Sequence, residues 1–177
     1  FQNCVPLYEN LKVAAGNFSA EQNIDDATLN PEQEGVIWIE PTQGIKLGPD
    51  LFVAQVIGES MNNRIPNGSW CLFRAHPKGT RQGKVVLAKH ASIYDPELGG
   101  HYTIKVYESE KRIGPDDSWC HTRITLKPDS SDSSFSPIVI EDAVEGEFTI
   151  IAELVRVLSI KEDRVLSENE AAQVNLF

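Results

Sequence analysis

The chain has 177 residues, 41% of them apolar, and a formal net charge of −10 with a sequence pI near 4.8. This suffices for one good core and gives no sign of two. The acidic balance opposes direct nucleic-acid binding, because a phosphate backbone attracts basic surfaces. No run has the length a bilayer span needs and no signal pattern opens the chain, so a cytoplasmic location with no membrane partner is expected.

From the N-terminus, Val5-Pro6-Leu7 precedes Val13-Ala14-Ala15-Gly16, a small, flexible segment flanked by turn residues. Residues 17 to 35 are acidic and polar. Strands are then expected at Val36–Ile39, Phe52–Ile57, Trp70–Arg74, Lys84–Lys89, Tyr102–Tyr107, Thr122–Leu126, Ile138–Ile140 and Phe148–Leu158, separated by turn residues at short intervals. Loops are expected at Asp95–Gly100, at Gly114–Asp117 and over the Ser/Asp/Pro-rich residues 128–136. A short helix is expected at Ser167–Gln173, behind a capping-like Ser167-Glu168-Asn169-Glu170. The fold class is therefore mainly β, a rolled antiparallel arrangement with few short helices. The expected organisation is a segment 1–35, a body 36–160 and a tail 161–177.

Two residues carry the chemistry. The apolar strand Phe52–Ile57 stops at Gly58 and delivers Ser60 onto a turn, in Gly58-Glu59-Ser60-Met61. The later strand alternates, with Tyr102, Ile104 and Val106 on one face and Thr103 and Lys105 on the other. A serine on a tight turn beside a strand lysine is what a Ser-Lys hydrolase needs, the lysine replacing histidine as the base. Each alone has a bland reading: serine after glycine is ordinary turn chemistry, and a strand lysine is usually solvated. Val13-Ala14-Ala15-Gly16 shifts the balance, because it offers the pair a substrate. His76, His90, His101 and His121 show no ligand spacing, and a Ser-His-Asp triad has no motif, though it stays open. Cys4, Cys71 and Cys120 are an odd set without metal-ligand spacing, which fits free thiols in a reducing compartment. Cys71 reads as a small buried hydrophobe. No metal or other cofactor is expected. The pairs Asp25-Asp26 and Asp116-Asp117 read as solvated loop charges.

These blocks resemble, in order, the LexA/UmuD-like family of self-cleaving Ser-Lys peptidases, whose fold is shared with signal peptidase. Val5-Pro6-Leu7 with Val13–Gly16 resembles the cleavage-site region. Phe52–Met61 with Ile65-Pro66-Asn67-Gly68-Ser69-Trp70 resembles the nucleophile strand and its following turn. Gly83–Ala88 with Tyr102-Thr103-Ile104-Lys105 resembles the strand pair ending in the lysine. Ile124–Pro128 with Phe135–Ile140 resembles the closing strands. Together they cover roughly residues 5 to 158. Departures are the two loops around the lysine strand and Ser69, where the family has an aspartate.

The resemblance implies Ser60 as nucleophile, Lys105 as base and a scissile Ala15–Gly16 bond. The main-chain amides of Glu59, Ser60 and Met61 are candidates for the oxyanion hole, because that turn offers donors no sheet uses. Desolvation of Lys105 is expected from its flanks Ile104 and Val106 and from a substrate loop folding over the site. The resemblance also implies a regulatory switch in a bacterial or phage stress or defence response, with an activating partner such as a RecA-like filament. The long apolar segment 147–158 is expected to act as an exposed edge and pair two copies into a homodimer. No room for a DNA-reading domain precedes Val5, so the chain is expected to be a C-terminal domain or a fragment of something longer, with a stand-alone form lacking a DNA reader as the alternative. Two alternatives stand beside this reading. One is a signal-peptidase-like enzyme acting on other proteins, disfavoured by the lack of an anchor. The other is a non-catalytic dimerisation or interaction module of a larger DNA-processing or defence protein, disfavoured by the intact pair.

Overall fold

The computed structural model describes residues 4–14, 37–40, 45–90, 102–113, 119–141, 148–159 and 164–166. They form strands β1 (Val5–Ala14), β2 (Ile37–Glu40), β3 (Leu51–Ile57), β4 (Ser69–Ala75), β5 (Val85–His90), β6 (Tyr102–Ile113), β7 (Trp119–Lys127), β8 (Ile138–Glu141), β9 (Phe148–Val157) and β10 (Arg164–Leu166). All join one 10-stranded sheet in the order β10-β2-β1-β3-β4-β9-β5-β6-β7-β8. Neighbours run antiparallel except β1 and β3, which are parallel, so the sheet is mixed. No helix occurs among the described residues, and the helix expected at Ser167–Gln173 lies outside them.

Rolling is visible in the packing. β1 touches β6 although β3, β4, β9 and β5 separate them in the sheet. One apolar cluster collects residues from both ends of that span: Tyr8, Phe52, Phe73, Leu87, Ile104 and Ile151 among others. The sheet curls around this cluster because its strands offer apolar side chains at every second position. β3 buries both of its faces. Phe52, Ala54 and Val56 join the inner cluster, while Leu51 and Val53 join a second one with Val5, Leu7 and Leu72. A strand covered on both sides reads as a continuous apolar run, as Phe52–Ile57 does. A third cluster, with Val86, Tyr107, Ile124 and Leu126, covers the other side of β5 to β7.

The expected strands all appear, with differences at their ends and two additions. β6 and β7 extend into a long hairpin, paired from Val106↔Lys127 to Ile113↔Trp119. The added length is polar (Glu108-Ser109-Glu110-Lys111) and carries no apolar period. The expected loop at Gly114–Asp117 lies in the hairpin's connection, and Asp95–Gly100 between β5 and β6; both are outside the described residues. β1 and β10 are added strands that depend on long-range pairing. Thus Val13 and Ala14, expected to be flexible, are held in register with Val56 and Ile57 of β3.

The edge-strand expectation for residues 147–158 is corrected. β9 sits in the interior of the sheet, bonded to β4 on one side and β5 on the other. Its apolar character reflects burial of Ile151 and Ala152 and leaves no open backbone edge for a second copy. In the described sheet the outer strands are β10 and β8.

Candidate active site

β3 ends because Gly58 takes φ = 115°, a backbone region open to glycine and strained for any residue with a Cβ. The chain then winds through one tight turn. Asn62 N donates to Glu59 O (3.1 Å), and Arg64 N and Ile65 N both donate to Met61 O (2.9 and 2.7 Å). Met61 and Ile65 point into the core and anchor this turn, both fully buried. Ser60 is held inside it at 1% exposure.

Polar side chains fix the turn from both ends. Asn67 Oδ1 accepts from Gly58 N (3.0 Å), while Asn67 Nδ2 and Asn62 Nδ2 donate to the two carboxylate oxygens of Glu59 (3.1 and 3.0 Å). The residues after β7 close the other side. Asp129 N donates to Ser60 O (2.9 Å), and Asn63 N donates to Asp129 O (3.1 Å). Asn63 Nδ2 donates to Asp129 Oδ1, and the Arg64 guanidinium pairs with Asp129 Oδ2. Those two partners hold the Asp129 carboxyl below the usual carboxylate range. Ser131 N donates to Asn62 Oδ1 (2.9 Å). The Ser/Asp loop expected to be only a solvated connection is thus stapled to the turn.

Lys105 comes from β6. Its alternation is as expected: Tyr102, Ile104 and Val106 enter the inner cluster, and Thr103 and Lys105 leave from the opposite face. Lys105 is nevertheless 5% exposed and Thr103 1%. Lys105 Nζ donates to Ser60 Oγ at 2.7 Å, to Thr103 Oγ1 at 3.1 Å and to Ile104 O at 3.1 Å. The Ser60–Lys105 contact joins residues 45 apart in sequence. The expectation that the Ile104 and Val106 side chains desolvate Lys105 is corrected, since period-two geometry sends them to the other face. Ile104 acts instead through its carbonyl oxygen. Strand alternation places Thr103 on the face of Lys105, but the sequence assigns it no role as a partner of the amine.

The main-chain amides of Ser60 and Met61 donate no hydrogen bond among the described residues, and neither does that of Glu59. They are open donors beside the hydroxyl. Ala14, the last residue of β1, is opposite Ile57, three residues before Ser60. Ala15 and Gly16 lie outside the described residues.

The other candidates lie elsewhere. His90 is buried on β5 with its ring 6.3 Å from that of Phe148, His76 follows β4, and no histidine hydrogen-bonds Ser60 among the described residues. His121 lies in β7 and His101 outside the described residues. Cys4 and Cys71 are buried and in no disulfide, and burial pushes the Cys71 thiol up to about 12, which keeps it protonated and inert. Among the described residues no cluster of histidine, cysteine or carboxylate side chains could hold a metal ion, and no helix is long and apolar enough to cross a membrane.

A family profile described as Peptidase S24-like matches residues 6–155, a span that includes Ser60, Lys105 and the end of β1. No curated protein matches the chain.

Proposed function

The chain belongs to the Peptidase S24-like family, and from that premise we propose that it is a serine endopeptidase that cleaves itself with a Ser60–Lys105 dyad, at Ala15–Gly16, as a regulatory switch. The observation that carries this reading is the buried 2.7 Å contact between Lys105 Nζ and Ser60 Oγ.

Lysine must be neutral to act as the base. A free lysine titrates near 10.4, so only about one in 2,500 is neutral at pH 7. Burial disfavours the charged form, and Lys105 is almost fully enclosed. In the neutral amine the two N–H groups serve Thr103 Oγ1 and Ile104 O. The lone pair then accepts the Ser60 proton along the same short contact. The Ser60 alkoxide attacks the Ala15 carbonyl, and the open amides of Ser60 and Met61 supply donors for the oxyanion. Lys105, now protonated, gives its proton to the leaving Gly16 nitrogen. Water then releases the acyl group from Ser60, with Lys105 again as base.

The parallel β1–β3 pairing supports self-cleavage over cleavage of other proteins. It brings the segment that leads into Ala15 alongside the strand that leads into Ser60. A substrate carried on the same chain reacts at a high effective concentration. Dependence on how that segment is seated is what makes the reaction a switch, and an activating partner such as a RecA-like filament acts by favouring the seated state.

The test is the mass of the purified chain after incubation over a range of pH. The expected rate rises with pH and levels off once Lys105 is neutral in the cleavage-ready state. Its products end at Ala15 and begin at Gly16. Ser60→Ala and Lys105→Ala both abolish it. Cleavage that persists in Ser60→Ala removes the dyad mechanism, and an intact wild-type chain at every pH removes self-cleavage.

A further inference from the structure

The strand that carries the cleavage segment has a defect in its own packing. Tyr8 of β1 sits in the inner apolar cluster at 9% exposure, its ring edge-on to Phe52 at 6.3 Å. Its hydroxyl is buried and has no hydrogen-bond partner. Burial also pushes that hydroxyl's pKa up to about 12, so the group enters the core neutral and still loses its water. A polar group desolvated without a partner opposes the burial that its ring favours. A phenylalanine at this position would fill the same space without that cost.

A second feature weakens the same strand. β1 pairs with β3 through Leu7↔Val53 and Tyr8↔Ala54, then loses register before resuming at Lys12↔Gln55 and ending at Ala14↔Ile57. Tyr8 is therefore the last paired residue before the break. The pairing that resumes beyond the break is that of residues 12–14, which lead towards residue 15.

We propose that Tyr8 is a positioning residue whose unpartnered hydroxyl loosens the seating of β1 on β3, and so holds back presentation of the cleavage segment to Ser60. The inference rests on the self-cleavage reading above for its functional half. Its structural half, the loosened strand, stands on the packing alone.

The experiment compares Tyr8→Phe with wild type twice. Amide hydrogen exchange is followed in the uncleavable Ser60→Ala background, where seating of β1 is read without any reaction. Removing an orphaned hydroxyl is expected to raise protection of the β1 amides about tenfold, equivalent to about 1.36 kcal/mol, with protection in β6 unchanged because β1 opens locally. Self-cleavage is then measured in the Ser60-intact chain, where Tyr8→Phe is expected to raise the rate several-fold below the pH plateau. A purely structural role would move exchange and thermal stability but leave the cleavage rate alone. Unchanged or reduced β1 protection in Tyr8→Phe overturns the loosened strand. Raised protection with an unchanged rate overturns the control of cleavage. If the wild-type chain is not cut at any pH, the proposed function falls, and the exchange arm still decides the status of Tyr8.

Discussion

At the scale of single residues, the site depends on which atoms Lys105 touches. Thr103 Oγ1 and Ile104 O accept from its amine and leave Ser60 as the third contact. Of the two acceptors besides Ser60, only the threonine can be removed by mutation without altering the backbone. Thr103→Val deprives a buried amine of one acceptor, a loss of roughly 1–3 kcal/mol for a buried polar group. The amine then loses one of the contacts that hold it at Ser60. We expect self-cleavage to fall about tenfold or more and its pH profile to shift, with Thr103→Ser restoring both. Rates measured across pH for the three chains check this. A lower rate with an unchanged profile would assign Thr103 to packing alone. Thr103 and Lys105 were legible as residues sharing a face, because strand alternation is local. The role of Ile104 was not, since a carbonyl oxygen leaves no trace in the identity of the side chain.

Among the elements, the turn that carries Ser60 is held by polar clamps on the residues after β7. Asp129 is the hub, bonded through its backbone to Ser60 and Asn63 and through its carboxylate to Asn63 and Arg64. Its carboxyl pKa is lowered by the Asn63 and Arg64 hydrogen bonds. A lowered folded-state value means that the stabilisation is complete above the unfolded value of about 3.9 and is lost as pH falls through the folded value. The pair is partly exposed, with the Arg64 side chain at 48% and that of Asp129 at 28%, so the contribution is small, about 0.2–1 kcal/mol. Asp129→Asn is expected to lower the melting temperature slightly at pH 7 and by less at an acid pH below the folded-state value, where the wild-type carboxyl is protonated. Thermal denaturation at the two pH values checks this. An equal loss at both would mean that the backbone bonds alone clamp the turn. The sequence marked 128–136 as a loop from its serines, aspartates and prolines. Its docking onto residues 60–64 was invisible, because partners some 65 positions apart share no local signal.

At the scale of the whole molecule, the order of strands reverses one expectation. An apolar run such as Phe148–Val157 is consistent with an exposed edge or with the middle of a sheet, and burial pattern alone does not separate them. Here β9 bridges β4 and β5, joining the two halves of the roll. Hydrogen exchange should therefore be slowest in β9 and β5 and faster in the outer strands β10 and β8. Exchange mass spectrometry on the intact chain tests this, and fast exchange across β9 would contradict the central placement.

Local sequence was enough for the mainly β class, most strand positions, the glycine that ends β3 and the candidacy of Ser60 and Lys105. Each of these is written in local chemistry: period-two burial, φ freedom at Gly58, and residue types suited to a nucleophile and a base. The tertiary structure alone decided the parallel seating of β1 on β3, the interior place of β9, the clamp by Asp129 and the orphaned hydroxyl of Tyr8. These depend on pairings between distant segments, where the energy lies in register and enclosure, and neither can be read from one segment alone.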